Sequence, residues 1–259
     1  MSAMVPSDLI DLANRLADAS GEIIRPYFRQ PIAIDSKADA SPVTIADREA
    51  EQAIRALLAA ARPDDGIIGE EFGNENTDAE FVWVIDPIDG TKSFITGRPI
   101  FGTLIALLRN GTPLLGLIDQ PIGRERWVGL RDHGATLNGA PIRVRDCPAL
   151  ADATIGTTAP DLFDGAGIEK WQHVAAAARH AVYGGDCYTY AQVAGGLVDA
   201  VIEAGLQTYD FAALSPVIEE AGGIVTDWRG NPLTLDSDGT IVACGDARVH
   251  AEILKLLAD

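Results

Sequence analysis

Phe81-Val82-Trp83-Val84-Ile85-Asp86-Pro87-Ile88-Asp89-Gly90-Thr91 is an apolar run that breaks into two carboxylates and a glycine. Five apolar residues, Phe81 to Ile85, bounded by polar ones predict a buried strand. A buried strand that delivers two acids at its end has an electrostatic problem. Two carboxylates about 4 Å apart repel by roughly 4 kcal/mol at an effective dielectric near 20. Hard divalent cations, which prefer oxygen ligands, neutralise such a pair. Gly90 lets the chain turn closely, so that the amides after it can point at an anion. Carboxylates, a hard cation and exposed amides together suit phosphate ester chemistry.

The sequence around this stretch divides into two patterns. Before and after it, helical spacing over 7–29 and 43–61 and strand-like runs at 66–69, 81–85, 101–108, 114–119 and 126–130 predict an α+β half with an antiparallel sheet. Arg109-Asn110-Gly111 and Asn138-Gly139 supply the hairpin turns. Further on, strands at 153–157, 181–185, 198–203, 223–227 and 240–244 alternate with helical patterns at 168–180, 188–197, 211–222 and 246–257, which predicts an α/β half with parallel or mixed pairing. Pro141, Pro148 and the alanine-rich stretch 149–153 mark the junction. The expected units are therefore 1–148 and 149–259, closely packed, with no repeat or flexible linker.

At 259 residues the chain can bury a sizeable core. A net charge of −18 argues against nucleic acid phosphates or an anionic membrane as the main partner and is compatible with attraction of divalent metal. The three cysteines, Cys147, Cys187 and Cys244, are odd in number and lack CxxC spacing, which argues for a reducing compartment and against a disulfide scaffold or zinc ribbon. Residues 1–28 lack a signal-type apolar core; Val5, Leu9, Leu12, Ala13, Leu16 and Ile23 instead follow helical spacing. No apolar run approaches 18 residues. A cytoplasmic protein is expected.

Other acids are ambiguous singly. Gly69-Glu70-Glu71 reads as a solvated turn, Asp210 before Ala212-Ala213-Leu214 as a helix cap, and Asp47 as a helix-start acid. Asp236-Ser237-Asp238-Gly239-Thr240 has the form of a DxDGT nucleophile motif, but it follows Asn231-Pro232 near the end of the sequence and reads as a turn. Gly90-Thr91-Lys92-Ser93 has the form of a P-loop tail, but Asp86 stands at the required upstream glycine. Cys187 is a poor thiolate beside Asp186. His133, His173, His180 and His250 show no ligand spacing.

Taken together, Gly69-Glu70-Glu71, Asp86-Pro87-Ile88-Asp89-Gly90-Thr91 and Tyr209-Asp210-Phe211-Ala212-Ala213, with Glu220-Ala221-Gly222-Gly223 beyond, resemble in order and spacing the signatures of the inositol monophosphatase-like family. The resemblance runs from Val43-Thr44-Ile45-Ala46-Asp47 to Gly223. It implies a layered αβαβα fold of the sugar-phosphatase type and a magnesium-dependent, lithium-sensitive phosphomonoesterase, usually a homodimer. It implies that Glu70, Asp86, Asp89 and Asp210 bind two or three Mg²⁺ ions through side chains and Ile88 through its carbonyl. Asp47, Thr91 and Glu70 fall on positions that serve the attacking, metal-activated water, and the Gly90 and Thr91 amides on a phosphate-oxygen site.

Lys92-Ser93-Phe94-Ile95-Thr96-Gly97-Arg98-Pro99, Gly185-Asp186-Cys187-Tyr188 and Tyr209-Asp210-Phe211 with Pro216 are similar to the histidinol-phosphate phosphatase branch. Inositol-specific members carry Trp at the Tyr209 position and Gly at the Leu214 position. The implied substrate is L-histidinol phosphate, whose ammonium and imidazole would meet Asp186 and Glu203 beside Asp89 and Asp210. The alternatives are an inositol-1-phosphate, sugar-phosphate or nucleotide phosphatase, and a phosphatase-like protein that binds RNA or transcription machinery.

Overall fold

Apolar residues occupy both faces of the central strands, as expected for sheets covered on two sides. In the computed structural model, which describes residues 6–36 and 41–258, Trp83 and Ile85 pack to one side of their strand and Val84 to the other. Val5 of the predicted first helix lies outside the described residues.

The chain begins with α1 (Pro6–Tyr27), a small hairpin of β1 (Ile34–Ser36) and β2 (Pro42–Thr44), and α2 (Ile45–Ala61). Eight strands then form the first sheet: β3 (Gly66–Gly69), β4 (Gly73–Glu75), β5 (Phe81–Asp89), β6 (Gly102–Arg109), β7 (Thr112–Gln120), β8 (Glu125–Leu130), β9 (Gly134–Leu137) and β10 (Ala140–Pro141), with the short helix α3 (Thr91–Ile95) after β5. Their order is β10-β9-β8-β7-β6-β5-β3-β4.

The second sheet has five strands in the order β12-β11-β13-β15-β14. Its elements are β11 (Thr154–Thr157), α4 (Gly165–Ala177), β12 (His180–Tyr183), α5 (Asp186–Ala194), β13 (Ala200–Glu203), α6 (Thr208–Phe211), α7 (Leu214–Glu220), β14 (Ile224–Thr226), β15 (Ile241–Cys244) and α8 (Ala247–Ala258). β11 is parallel to β12 and β13, and the remaining pairs are antiparallel.

Three core clusters define the layers. Leu12, Leu16 and Ile54 of α1 and α2 meet Trp83, Ile105 and Leu117 on one face of the first sheet. Tyr190, Val193, Val217 and Ile218 of α5 and α7 lie between its other face and Val201 and Ala243 of the second sheet. Trp171, Val249 and Ile253 of α4 and α8 cover the outer face, against Ile202 and Val242. The layering is αβαβα. A Cβ at Gly116 of β7 would stand 2.0 Å from the Ala213 carbonyl oxygen, so the chain at the start of α7 rests directly on the first sheet.

Several sequence expectations need correction. The first sheet is not wholly antiparallel: β3 and β5 run parallel, because β4 folds back on β3 and returns the chain to the end where β3 began. Residues 42–44 form a strand, and α2 starts at Ile45. The helix expected over 211–222 is two pieces, α6 and α7, with Asp210 inside the first. α5 begins at Asp186, ahead of the predicted 188. Strand β5 continues beyond Ile85 to Asp89.

Candidate active site

The continuation of β5 places its acids. Side chains three residues apart on a regular strand point to opposite faces, which would separate Asp86 from Asp89. The register against β6 pairs Asp86 with Leu104 and Asp89 with Gly102, so Pro87 and Ile88 together oppose Thr103 alone. This β-bulge carries one extra residue and restores the parity. Asp86 and Asp89 then converge with Asp210 from α6, and one carboxylate oxygen of each lies within 4.8 Å of the others. Asp86 is buried; the other two are half-buried.

Each acid is held. Asp86 Oδ1 accepts the Ile88 amide at 2.9 Å. Asp89 Oδ2 accepts the Cys187 amide, in the first turn of α5, at 2.7 Å. Asp210 sits at the third position of α6 and accepts the Gln207 amide at 2.6 Å, a reciprocal cap that fixes its rotamer. Glu70 follows β3, its amide donating to the Ile85 carbonyl at 3.2 Å, and its charge is the first of those that act on Asp86. The turn that carries it is gripped by Glu51 of α2, fully buried, which accepts the amides of Glu71 at 2.7 Å and Phe72 at 3.3 Å.

The cluster is strained electrostatically. Burial, then the charges of Glu70, Asp89 and Asp210, push the Asp86 carboxyl well above the usual carboxylate range. Asp89 is raised in the same way by burial and then by Asp186 and Asp210, against the opposing Cys187 bonds. Such a group of acids is stabilised by a cation.

Asp47 occupies the third position of α2 in a capping box with Thr44, whose amide (2.9 Å) and hydroxyl (2.6 Å) both donate to its Oδ2. Its Oδ1 faces the Thr91 hydroxyl at 3.3 Å, which also lies 3.2 Å from the Ile88 carbonyl. Burial raises the Asp47 carboxyl, the Thr44 bonds oppose this, and the charge of Glu70 adds to it. Gly90 adopts φ +81°, and a Cβ there would stand 2.7 Å from Cγ of Asp186. The backbone thus passes tightly between the acid motif and α5.

Beside this cluster lies a cavity of about 150 Å³ lined by Asp89, Asp186, Glu203 and Asp210, with Leu162 and Leu206 as apolar wall. Among the described residues, no lysine or arginine lines it. Glu203, at the end of β13, is buried and accepts the Thr158 amide at 2.6 Å and the Tyr190 hydroxyl at 2.8 Å. Burial raises its carboxyl, with those two donors opposing. Asp186 takes a bond from the Ser93 hydroxyl at 2.5 Å, so one of its oxygens is engaged within the protein. Burial raises its carboxyl too, countered by Ser93, Arg98 and Lys92.

Of the acids expected at the site, Asp86, Asp89 and Asp210 converge, Asp89, Asp186, Glu203 and Asp210 line the adjoining cavity, and Asp47 and Glu70 reach the cluster through Thr91 and Asp86. Glu51, Ser93, Thr158 and Tyr190 were not singled out. Tyr190 follows Asp186 by one helical turn, a signal lost when the helix is started two residues late. Cys187 is buried, and burial together with Asp89 holds its thiol well above the usual range, which agrees with its rejection as a nucleophile. Cys147, Cys187 and Cys244 are all free. Asp238 caps its own loop through Thr240 and pairs with Arg229. No helix among the described residues is long and apolar enough to cross a membrane.

Comparison with known proteins gives this geometry its family. The profile of the inositol monophosphatase family matches residues 6–259. The bifunctional phosphatase IMPL2, chloroplastic, of Arabidopsis thaliana is 48% identical over 97% of this chain and 78% of its own length. The histidinol-phosphatase of Mycobacterium tuberculosis is 37% identical over 96% of this chain and 98% of its own. Among solved structures, an inositol monophosphatase from Zymomonas mobilis superposes with a TM-score of 0.91 at 49% identity, covering 99% of this chain and 100% of that one. The chain belongs to the inositol monophosphatase family, a family of phosphatases.

Proposed function

We propose that the protein hydrolyses L-histidinol phosphate to L-histidinol and phosphate with the aid of Mg²⁺. The observation that carries the substrate is the cavity beside Asp89 and Asp210, where Asp186 and Glu203 add two more carboxylates and, among the described residues, no basic side chain lines the wall. An ammonium-bearing leaving group suits such a lining, and Leu162 and Leu206 suit the face of an imidazole. The histidinol-phosphatase relatives agree in name with this choice.

Magnesium fits the donor set. The converging groups are carboxylate oxygens, the hard ligands this ion prefers. Glu70, Asp86, Asp89, Asp210 and the Ile88 carbonyl would hold two or three ions. When bound, Mg²⁺ offsets charge on the phosphoryl group and acidifies water. In this reading the Gly90 and Thr91 amides hold a phosphate oxygen. The Thr91 hydroxyl orients the attacking water and passes a proton toward Asp47. Positioning and charge neutralisation account for most of phosphoryl transfer, so no covalent nucleophile is required.

Phosphate release measured over histidinol phosphate, inositol 1-phosphate, glucose 1-phosphate and p-nitrophenyl phosphate tests the substrate. A kcat/KM for histidinol phosphate at least about 100-fold above the others is expected, the scale of discrimination that a paired polar site supplies. Comparable rates on inositol 1-phosphate would replace this assignment with a dual-specificity phosphatase, a reading that the name of the 48%-identical relative supports.

A further inference from the structure

The bulge that aligns Asp86 with Asp89 has its own fastening. Inside it, two peptide groups leave the sheet ladder. The Ile88 amide is taken by Asp86 itself. The Pro87 carbonyl points the other way, into the interior, and is met by the hydroxyl of Thr103 at 2.8 Å. Thr103 is the one residue of β6 that stands opposite the bulge, and it is fully buried. Its Oγ1 also lies 2.8 Å from the Ser20 hydroxyl of α1, likewise fully buried. A hydroxyl has one hydrogen. Thr103 gives its hydrogen to Pro87, so Ser20 must be the donor to Thr103. The result is a one-way chain from α1 through β6 to the main chain between Asp86 and Asp89.

We infer that Thr103 and Ser20 are positioning residues that hold the Asp86–Asp89 bulge in its cation-receiving shape. The inference rests on the metal reading given above. Packing alone does not call for hydroxyls here. Leu104 on β6, Phe101 just before it, and Ala17 and Ile24 on α1 are buried and apolar, and Val has nearly the shape of Thr103. What Val cannot do is donate to the Pro87 carbonyl. Without that bond the bulge is free to migrate along β5, and migration by one residue would turn Asp86 or Asp89 to the opposite face. Among the described residues the two hydroxyls bond to each other and to the Pro87 carbonyl rather than to a carboxylate, so the pair acts through the backbone, as outer-shell partners of metal ligands do.

The test uses the full chain with Mn²⁺ alone, titrated calorimetrically without substrate, beside thermal melts in chelator. Thr103→Val should weaken Mn²⁺ binding about tenfold or more, the usual effect of losing an outer-shell partner. Thr103→Ser should restore it to within about twofold, and Ser20→Ala should fall between. Val249→Ala, in the outer core of the second sheet, should lower the melting temperature and leave Mn²⁺ affinity unchanged. Wild-type affinity in Thr103→Val, or an equal loss in Val249→Ala, would overturn the inference. If Thr103→Val does not fold, unchanged affinity in Ser20→Ala overturns it instead. A wild-type protein that takes up no Mn²⁺, or an Asp86→Asn variant that binds as well, would overturn the metal reading itself.

Discussion

Thr91 and Asp47 face one another across the start of two helices, the hydroxyl 3.3 Å from Oδ1, while the other oxygen of Asp47 is fully engaged by Thr44. The contact is long, as proton-transfer pairs often are before substrate tightens them. One carboxylate therefore does two jobs: it caps α2 and it is available to Thr91.

Thr91→Ala should lower kcat by about 100-fold or more with KM changed only a few-fold, since the lost contact matters mainly in the transition state. Thr91→Ser should retain most activity. Asp47→Asn should lower kcat while keeping an acceptor for the cap, whereas Asp47→Ala should also cost about 1 kcal/mol of stability. Steady-state kinetics with denaturant titration separates the two effects. Equal losses in kcat and stability for Asp47→Asn would make it a structural cap only.

Metal should act on stability as well as rate. At a Mg²⁺ concentration 100 times its dissociation constant, native-state binding adds about 2.7 kcal/mol. For a chain of this size that raises the melting temperature by roughly 5–10 °C. Asp86→Asn and Asp210→Asn should abolish the shift along with several orders of magnitude of turnover. In chelator, Asp86→Asn should melt no lower than wild type, because it removes one of the crowded charges and keeps an acceptor for the Ile88 amide.

Selectivity should lie with Glu203. A charge-assisted bond to an ammonium is worth about 1.5–3 kcal/mol, so Glu203→Gln should raise KM for histidinol phosphate roughly 10- to 100-fold and spare p-nitrophenyl phosphate. Tyr190→Phe removes a donor that favours the ionised form of Glu203. Its KM for histidinol phosphate should therefore worsen as pH falls, more steeply than in wild type. Asp186→Asn should raise the same KM, since Ser93 engages only one oxygen of Asp186, whereas Thr158 and Tyr190 engage both of Glu203. Parallel losses on both substrates would assign these acids to the fold.

Acid sensitivity should have a source far from the site. His250 is buried and its Nε2 lies 2.7 Å from the Thr226 hydroxyl, which gives its own hydrogen to the Asp227 carbonyl, so the ring donates. Burial lowers its pKa from 6.5. Between the lowered value and 6.5 the unfolded chain binds the proton and the folded one does not. Stability is therefore complete above about 6.5 and declines as pH falls, by at most about 1.4 kcal/mol per unit. Asp246, held low by its hydrogen bond from Arg248, loses its contribution only below the usual carboxylate range. Urea melts at pH 7.5 and 5.5 should show the decline in wild type and a flatter response in His250→Gln.

The acidic motif and the layered fold were legible because they depend on residue identity and on long apolar runs. The bulge was not. Pro87 and Ile88 look like any strand exit, and only the partner Thr103 shows that two residues oppose one. The break between α6 and α7 was hidden because apolar periodicity continues through Phe211, Ala212 and Ala213, all of them buried. α5 begins earlier than expected because the strand expected over 181–185 covers Gly184 and Gly185 but ends at Tyr183, and Asp186 at φ +45° is a conformation no local pattern announces. The hairpin of β1 and β2 and the pair β9–β10 are too short to leave a period in the sequence.

The acids of the site come from opposite halves of the chain: Asp86 and Asp89 from the first sheet, Asp210 from the far side of α5 and β13. A cation held among them would be a rivet joining two stretches of polypeptide that share no covalent cross-link. No fragment containing one half could hold it with the full set, and the two layers could not part without releasing it. Occupancy would then require the acids of both stretches together, so a nascent chain could not complete the set before α6 had met the end of β5.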